Sequence, residues 1–308
     1  MTSISERAFA KVNLSLKVLG RRPDGYHEIE SLVAFAAIGD RITLDATADP
    51  AVKVTGPFAT AIAAENIVTR ALAHLRRIEP RLTLGRIALE KNLPVAAGLG
   101  GGSADAAAVL RAVRRANRPL ASTLDWRAIA TQLGADVAVC FISQPALMWG
   151  IGEKVRPLES CPQLPAILVN PRQPVLTALA FKALRAGPAR MRPEAPPIPG
   201  PFANAEDLIA HLSQQGNDLE RPAMRLLPVI ADIKTMLGAR PGCLLVRLSG
   251  SGPTCYGIFE TGGAADEAAA VIAAQHPGWW VQATQLGAPR DEDLSRSSGY
   301  GPRPSGGG

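Results

Sequence analysis

The order of strand-like and helical stretches predicts an α+β protein in two domains, joined near residue 150. Three observations carry this reading. Strand patterns crowd the chain up to Pro57, strands and helices then mix without regular alternation, and the texture changes after W-G-I-G-E-K at Trp149 to Lys154. With 308 residues the chain has ample length for a core in each half. The expected division is 1–150, 151–287 and a short tail, 288–308.

Residues 7 to 19 alternate polar and apolar side chains, with Val12, Leu14, Leu16 and Val18 on one face, as in a half-buried strand. G-R-R-P-D-G at Gly20 to Gly25 is a turn. Y-H-E-I-E-S-L-V-A-F and I-G-D-R-I-T-L-D read as a second and a third strand, and V-K-V-T-G-P closes this β-rich opening. From Glu65 to about Arg77, Ile67, Ala71 and Leu75 share a helical face. R-I-A-L-E-K-N-L-P is another strand, leading directly into a cluster of glycines. The helix after the glycines carries Ala106, Val109, Leu110 and Val113 on its apolar side. Arg111, Arg114, Arg115 and Arg118, at i, i+3, i+4, i+7, read as its solvated face. A helix from about Leu124 to Leu133 follows, capped by Thr123 or Asp125 and stopped by Gly134. A-D-V-A-V-C-F-I then reads as a buried strand with Asp136 at its start.

In the second half, L-P-A-I-L-V-N-P is a strand, L-T-A-L-A-F-K-A-L a helix, and the proline-rich residues 187–202 a long loop. N-D-L-E-R-P-A leads into a helix. C-L-L-V-R-L-S-G-S-G-P-T-C-Y-G-I-F gives two strands around a tight turn, and A-A-D-E-A-A-A-V-I-A-A a final helix. From Ala288 the chain is Arg, Ser, Gly and Pro without periodicity, and is expected to be disordered.

Composition narrows the function classes. Hydrophobic content of 47% with 19% charged residues describes a globular protein. No uncharged apolar stretch is long enough for a membrane span, and the N-terminus lacks a secretory h-region. Cys140, Cys161, Cys243 and Cys255 show no C-x-x-C spacing, which argues against a disulfide framework or zinc site and for a reducing cytoplasm. A net charge of +6 favours anionic small molecules. It also allows a nucleic-acid-binding module, but only 5% of residues are aromatic and the arginines follow one helix.

The chemistry concentrates at Pro94 to Asp105, P-V-A-A-G-L-G-G-G-S-A-D, where Gly98, Gly100, Gly101 and Gly102 fall within five residues. Glycines let peptide N–H groups converge, and the following helix aims its free N-terminal donors and dipole at the same point. Together these make an anion cradle, best suited to phosphate. It is not a Walker A loop, because no lysine precedes Ser103; nor a dinucleotide fingerprint, because position 103 is serine; nor a nucleophile elbow. Phosphoryl transfer also needs charge neutralisation, alignment and an acceptor for the hydroxyl proton. Asp136 stands in an apolar run where an acid is costly without a purpose. Lys11 lies between Ala10 and Val12, where a lysine otherwise has only snorkelling to recommend it.

The glycine segment resembles the P-x-x-x-G-L-G-S/G-S motif of the GHMP kinases (galacto-, homoserine, mevalonate and phosphomevalonate kinases). A-K-V-N-L-S-L at Ala10 to Leu16, R-P-D-G-Y-H at Arg22 to His27, L-G-A-D-V at Leu133 to Val137 and R-L-S-G-S-G-P-T-C at Arg247 to Cys255 extend the likeness over residues 7 to 285. They bring it nearest to members acting on a diphosphocytidyl methylerythritol. The resemblance implies an N-terminal ribosomal-protein-like α/β domain with a left-handed βαβ-type unit and a C-terminal ferredoxin-like domain. It implies transfer of the ATP γ-phosphoryl to a substrate hydroxyl, with Mg2+ held by phosphates, water and Ser103 and not by an acidic protein site. Lys11 and Asp136 would be catalytic. ATP would lie on Pro94, Val95, Ala96, Ala97, Gly98, Leu99, Gly100, Gly101, Gly102, Ser103 and Ala104, with Asn66 on adenine. Asn66 reads equally as the N-cap of its helix. Tyr26 and His27 would hold a cytidine, and Asn13 would share the substrate. The implied partners are ATP and a small molecule, without nucleic acid or membrane, in a monomer or weak homodimer. Homoserine or mevalonate as acceptor is the alternative, against which stands R-P-D-G-Y-H, since neither offers a base to stack. The chain departs from the family's pattern at Ala138, where proline is usual, and over Met148 to Lys154.

Overall fold

A computed structural model describes residues 3–189 and 195–289. The N-terminal alternation forms two strands, β1 (Ser3–Asn13) and β2 (Lys17–Arg21). They separate where the Leu14 and Ser15 amides both turn to the Leu32 carbonyl, at 2.8 and 3.2 Å, and the Leu16 amide bonds the Gly216 carbonyl at 2.8 Å. The two strands expected next are one, β3 (His27–Asp45), 19 residues long. Gly39 lies within it. A Cβ on it would stand 2.2 Å from the Ala8 carbonyl oxygen, so the glycine lets β1 come close.

β4 (Ala51–Thr55) runs parallel to β5 (Arg86–Glu90), and α1 (Ile67–Ile78) makes the crossover between them. α2 (Gly101–Ala116) lays its alanine-rich face on β1 and β3. After α3 (Arg118–Ala121) comes α4 (Trp126–Leu133), capped by Asp125, which accepts from the Arg127 and Ala128 amides. The buried strand expected at 135–142 is instead a helix, α5 (Ala135–Ile142), with Gly134 separating it from α4. A short, wholly apolar run has no period to distinguish strand from helix. Here Val137, Ala138, Val139, Cys140 and Phe141 are all buried, and α5 packs on α2 and α4.

Arg111 also departs from its expected solvated face. Its guanidinium is half-buried and bonds Glu6 Oε2 at 3.0 Å, the Cys140 carbonyl at 2.8 Å and the Arg7 carbonyl at 2.5 Å. Arg114, Arg115 and Arg118 stay exposed, the last on α3.

β6 (Ala146–Gly150) and β7 (Lys154–Pro157) form a hairpin, with β6 paired to β3. The C-terminal half follows with β8 (Leu164–Asn170), α6 (Thr177–Leu184), α7 (Ala205–Ser213), α8 (Glu220–Leu226), α9 (Val229–Gly238), β9 (Cys243–Leu248), β10 (Cys255–Phe259), α10 (Gly262–Gln275) and β11 (Trp280–Gly287). Its strands lie in the antiparallel order β11-β8-β10-β9, the β-α-β-β-α-β ferredoxin-like pattern. β11 joins β3 at Phe35 and Ala36, so one mixed sheet crosses both halves. The architecture is the two-domain α+β one expected. The strand at 280–287 and the helix at 205–213 were not anticipated; of the expected tail, 288–308, residues 290–308 lie outside the described ones.

The proline-rich segment comes against the outer edge of β2. The Arg21 amide bonds the Gly187 carbonyl at 2.7 Å, and the Ala189 amide returns to the Arg21 carbonyl at 2.8 Å. Gly20, at φ +135°, has no room for a side chain because Ala189 Cα would lie 2.4 Å from its Cβ. Among the described residues no helix is long and apolar enough to cross a membrane, and all four cysteines are free thiols.

Tyr256 ties the halves together. It is completely buried on β10, and its hydroxyl donates to the Leu14 carbonyl at 3.0 Å, beyond the end of β1. Tyr256→Phe leaves that carbonyl without its donor, so chemical denaturation should show a loss of about 1–2 kcal/mol.

Candidate active site

A cleft of about 560 Å³ runs from the start of α1, past the glycine loop, to α5 and α6. Lys11 and Asn13 stand two residues apart on β1 and so share a face. Lys11 Nζ lies 3.0 Å from Asp136 Oδ2 and donates to Asn13 Oδ1 at 3.0 Å. The lysine side chain is only 5% exposed and the aspartate 36%, so the cation is held from behind while the carboxylate meets the cleft. Asp136 occupies the first turn of α5. Asn13 Nδ2 donates to Ser31 Oγ at 2.8 Å, which in turn donates to the Ser15 carbonyl at 2.5 Å. Ser31 is a support that the sequence pattern did not reveal.

Two of the glycines make room for a particular neighbour. Gly98 and Gly100 have φ of +73° and +61°, a region costly for other residues. A Cβ on Gly98 would lie 2.3 Å from the Ser249 carbonyl oxygen, and one on Gly100 would lie 3.1 Å from Lys11 Cε. α2 begins at Gly101 with Gly100 as N-cap and no side-chain cap. Its first N–H groups therefore have no side chain to satisfy them, the condition for holding an anion. Pro94, Val95, Ala96, Ala97, Gly98, Gly100, Gly101, Gly102 and Ser103 line the cleft. Leu99 and Ala104 turn their side chains into the core, and the Leu99 carbonyl accepts from the Lys11 amide at 2.9 Å.

A buried charge cluster lies beneath this loop, and sequence reasoning missed it. Lys91 Nζ donates to Asp40 Oδ2 at 2.5 Å and Asp105 Oδ2 at 2.7 Å, and all three residues are buried. Asp40 Oδ1 accepts from the amides of Asn92 and Leu93. Burial opposes the Lys91 charge, but the two carboxylates outweigh it and hold the ammonium above its usual range. Desolvation, against the pull of Lys91, pushes Asp105 well above the usual carboxylate range. Asp105 Oδ1 has no protein partner, and Asp105 lines the cleft. In the sequence Lys91 and Asp105 merely flank the glycines, and only the fold brings Asp40 to them.

Asn66 caps α1 in a full capping box, accepting from the Val68 and Thr69 amides at 2.9 and 3.2 Å. It also lines the cleft, together with Ile67 and Val68. At the opposite end, the His27 ring stacks on Phe181 of α6, with centroids 4.6 Å apart and planes 26° from parallel. Tyr26 is 61% exposed, its ring free to cover a planar guest. Burial first, and then the Arg21 charge, lower the His27 pKa and favour the neutral ring. Phe181 comes from the C-terminal half and carried no signal beyond helical periodicity.

Comparison with known proteins agrees with this geometry. The family described as GHMP kinases N terminal domain matches residues 66–144, and GHMP kinases C terminal matches residues 202–278. The 4-diphosphocytidyl-2-C-methyl-D-erythritol kinase of Parvibaculum lavamentivorans is 45% identical over 286 residues, covering 92% of this chain and 98% of that protein. The protein of the same name from Bradyrhizobium diazoefficiens is 45% identical over 294 residues, with 93% and 99% covered. A crystal structure of 4-(cytidine 5'-diphospho)-2C-methyl-D-erythritol kinase superposes with a TM-score of 0.74 at 34% identity, covering 92% of this chain and 99% of that one. A loop that frees the first N–H groups of a long helix, set against a lysine–aspartate pair and matched along nearly the whole chain, leads to one conclusion: the chain belongs to the GHMP kinase family.

Proposed function

We propose that the protein transfers the γ-phosphoryl group of ATP to the 2-hydroxyl of 4-diphosphocytidyl-2-C-methyl-D-erythritol, giving the 2-phosphate and ADP, in the cytoplasmic supply of isoprenoid precursors. One observation carries the reading. The Lys11–Asp136 pair, 3.0 Å apart, lines one cleft with the uncapped start of α2 and with Phe181, on which the His27 ring stacks. That spacing of functions suits an acceptor with a reactive hydroxyl at one end and a pyrimidine at the other.

In this reading the triphosphate lies on the N–H groups of the glycine loop and the first turn of α2. Asp136 accepts the proton of the attacking hydroxyl. Lys11, fixed by Asn13, holds that hydroxyl and offsets charge as the phosphoryl group moves. Asn13 shares the acceptor, and neutral His27 meets the edge of the base that Tyr26 covers. Among the described residues no three His, Cys, Asp or Glu side chains converge on a metal position. The residues fit Mg2+ carried on the ATP phosphates, with Ser103 as the nearby protein oxygen. When bound, such an ion would neutralise charge on the phosphates.

Asp136→Asn should lower kcat by about 10²-fold or more while ATP affinity holds, read by ADP release with the diphosphocytidyl acceptor beside homoserine and mevalonate. Near-normal turnover would remove Asp136 from the base role, and turnover on another acceptor alone would overturn the substrate. Asn66 admits a separation of its two roles. Asn66→Asp keeps the cap acceptor while losing the Nδ2 bond to the Ala63 carbonyl, so it should lose less than Asn66→Ala, which loses about 1 kcal/mol. Both should weaken ATP binding in a titration if the amide also meets the nucleotide. Because the His27 pKa is lowered, the ring takes up its proton at more acidic pH than an ordinary histidine. Acceptor KM should therefore rise on acidification with a midpoint below the ordinary histidine value, and His27→Gln should abolish that rise. A midpoint above the ordinary value would contradict it.

A further inference from the structure

The turn at Ser249 to Gly252, between β9 and β10, belongs to the C-terminal half and has no role in the chemistry above. Yet it touches both sides of the site. Ser249 is completely buried, and its Oγ accepts from the Asn13 amide at 3.2 Å and donates to the Gly98 carbonyl at 2.8 Å. Asn13 is the residue that fixes Lys11 Nζ, and Gly98 opens the glycine loop. A hydroxyl has a single hydrogen. With that hydrogen on Gly98, the oxygen must face Asn13, so the bridge has only one orientation.

The turn is itself held on several sides. Asn217 Nδ2 donates to the Leu248 and Gly250 carbonyls at 2.9 and 2.8 Å, and Ser251 Oγ lies 2.9 Å from Thr177 Oγ1. The Thr254 amide bonds the Ala97 carbonyl at 3.2 Å. Contact with the glycine loop is so close that neither side admits a side chain. A Cβ on Gly98 would meet the Ser249 carbonyl oxygen, and one on Gly250 would stand 3.2 Å from the Gly98 carbonyl oxygen and 3.3 Å from Asn13 Oδ1.

We infer that Ser249 is a positioning residue for phosphoryl transfer, its hydroxyl fixing the distance between the glycine loop and the Lys11–Asn13 segment. The inference rests on the kinase reading given above. The loop carries the donor phosphate, and the segment carries the acceptor hydroxyl. Without the hydroxyl, the buried Asn13 amide and the half-buried Gly98 carbonyl both lose their partner, and the two segments shift to recover partners. In-line transfer is steeply sensitive to such a shift, about 10²-fold for a misplacement of roughly 1 Å. Binding of either ligand alone is much less so, because each ligand rests mainly on one segment.

The test uses the full chain with Ser249→Ala and Ser249→Cys. It follows the unfolding midpoint, ATP and acceptor affinities, kcat by ADP release, and hydrogen exchange of the Asn13 amide without substrate. Ser249→Ala should speed Asn13 exchange by about ten-fold or more and leave both affinities within about three-fold. Its kcat should fall about 10- to 100-fold. Ser249→Cys, whose thiol is a weaker donor and acceptor, should recover part of kcat. A folded Ser249→Ala protein with wild-type kcat, whatever its midpoint, overturns the positioning role. If the alanine variant does not fold, the cysteine variant decides: lower kcat at retained affinities supports the role, and wild-type kcat with faster Asn13 exchange overturns it. Failure of the wild-type chain to phosphorylate the diphosphocytidyl acceptor would count against the kinase reading instead. Asn13 exchange would still report the bridge.

Discussion

One buried ammonium fixes the geometry on which the glycine loop depends. Lys91 leaves the end of β5 and is held by Asp40 on β3 and Asp105 on α2, so a single side chain joins the strand before the loop to the helix after it. Asp40 also takes the amides of Asn92 and Leu93, which fixes the path of the backbone into Pro94. A buried ion pair by itself is weak support for stability, but removing one partner leaves uncompensated charge and costs several kcal/mol. The loop is thus fastened at both ends by groups that tolerate no loss. Gly101 belongs to the same arrangement, because a Cβ there would lie 3.2 Å from Lys91 Nζ. Its lack of a side chain serves the lysine beneath the loop as well as the anion above it.

The second organising element is β3. It pairs with β1 and β2 along one edge and with β6, β11 and β5 along the other. Both halves of the molecule therefore share a strand, and Tyr256 and Ser249 add bonds from the C-terminal half to the end of β1. A cleft built this way takes its shape from folding. Substrates meet positions already set by the sheet, as electrostatic preorganisation requires.

Much of this was legible in the sequence, for identifiable reasons. The glycine loop was readable because Gly98 and Gly100 hold positive φ and Gly98 has no room for a Cβ beside the Ser249 carbonyl. Lys11 and Asn13 were readable because a strand's two-residue period places them on one face. Asp136 was recognised in type but assigned to the wrong element: an apolar run of eight residues satisfies a buried helix as well as a buried strand. β3 appeared as two strands because Ala36 and Ala37, poor strand formers, part its two apolar runs, whereas the strand passes through them unbroken. Lys91, Asp105 and Phe181 stayed hidden because their partners are distant in sequence, and no local pattern records a contact made only by the sheet's topology. Arg111 misled for a related reason. Helical spacing put it with its exposed neighbours, but Glu6 and two backbone carbonyls draw it inward.

The segment from Gly187 to Ala189 also bears on the free edge of the sheet. β2 is a short strand whose outer N–H and C=O groups would stand open, and such edges invite pairing with another chain. Arg21 instead spends both of its backbone groups on Gly187 and Ala189, and Gly20 lets that segment approach too closely for any further strand to enter. Gly187 to Ala189 therefore cover this end of the sheet. Cleaving or shortening that segment would expose a template for aggregation beside Tyr26 and His27, and colloidal stability would suffer along with the pocket.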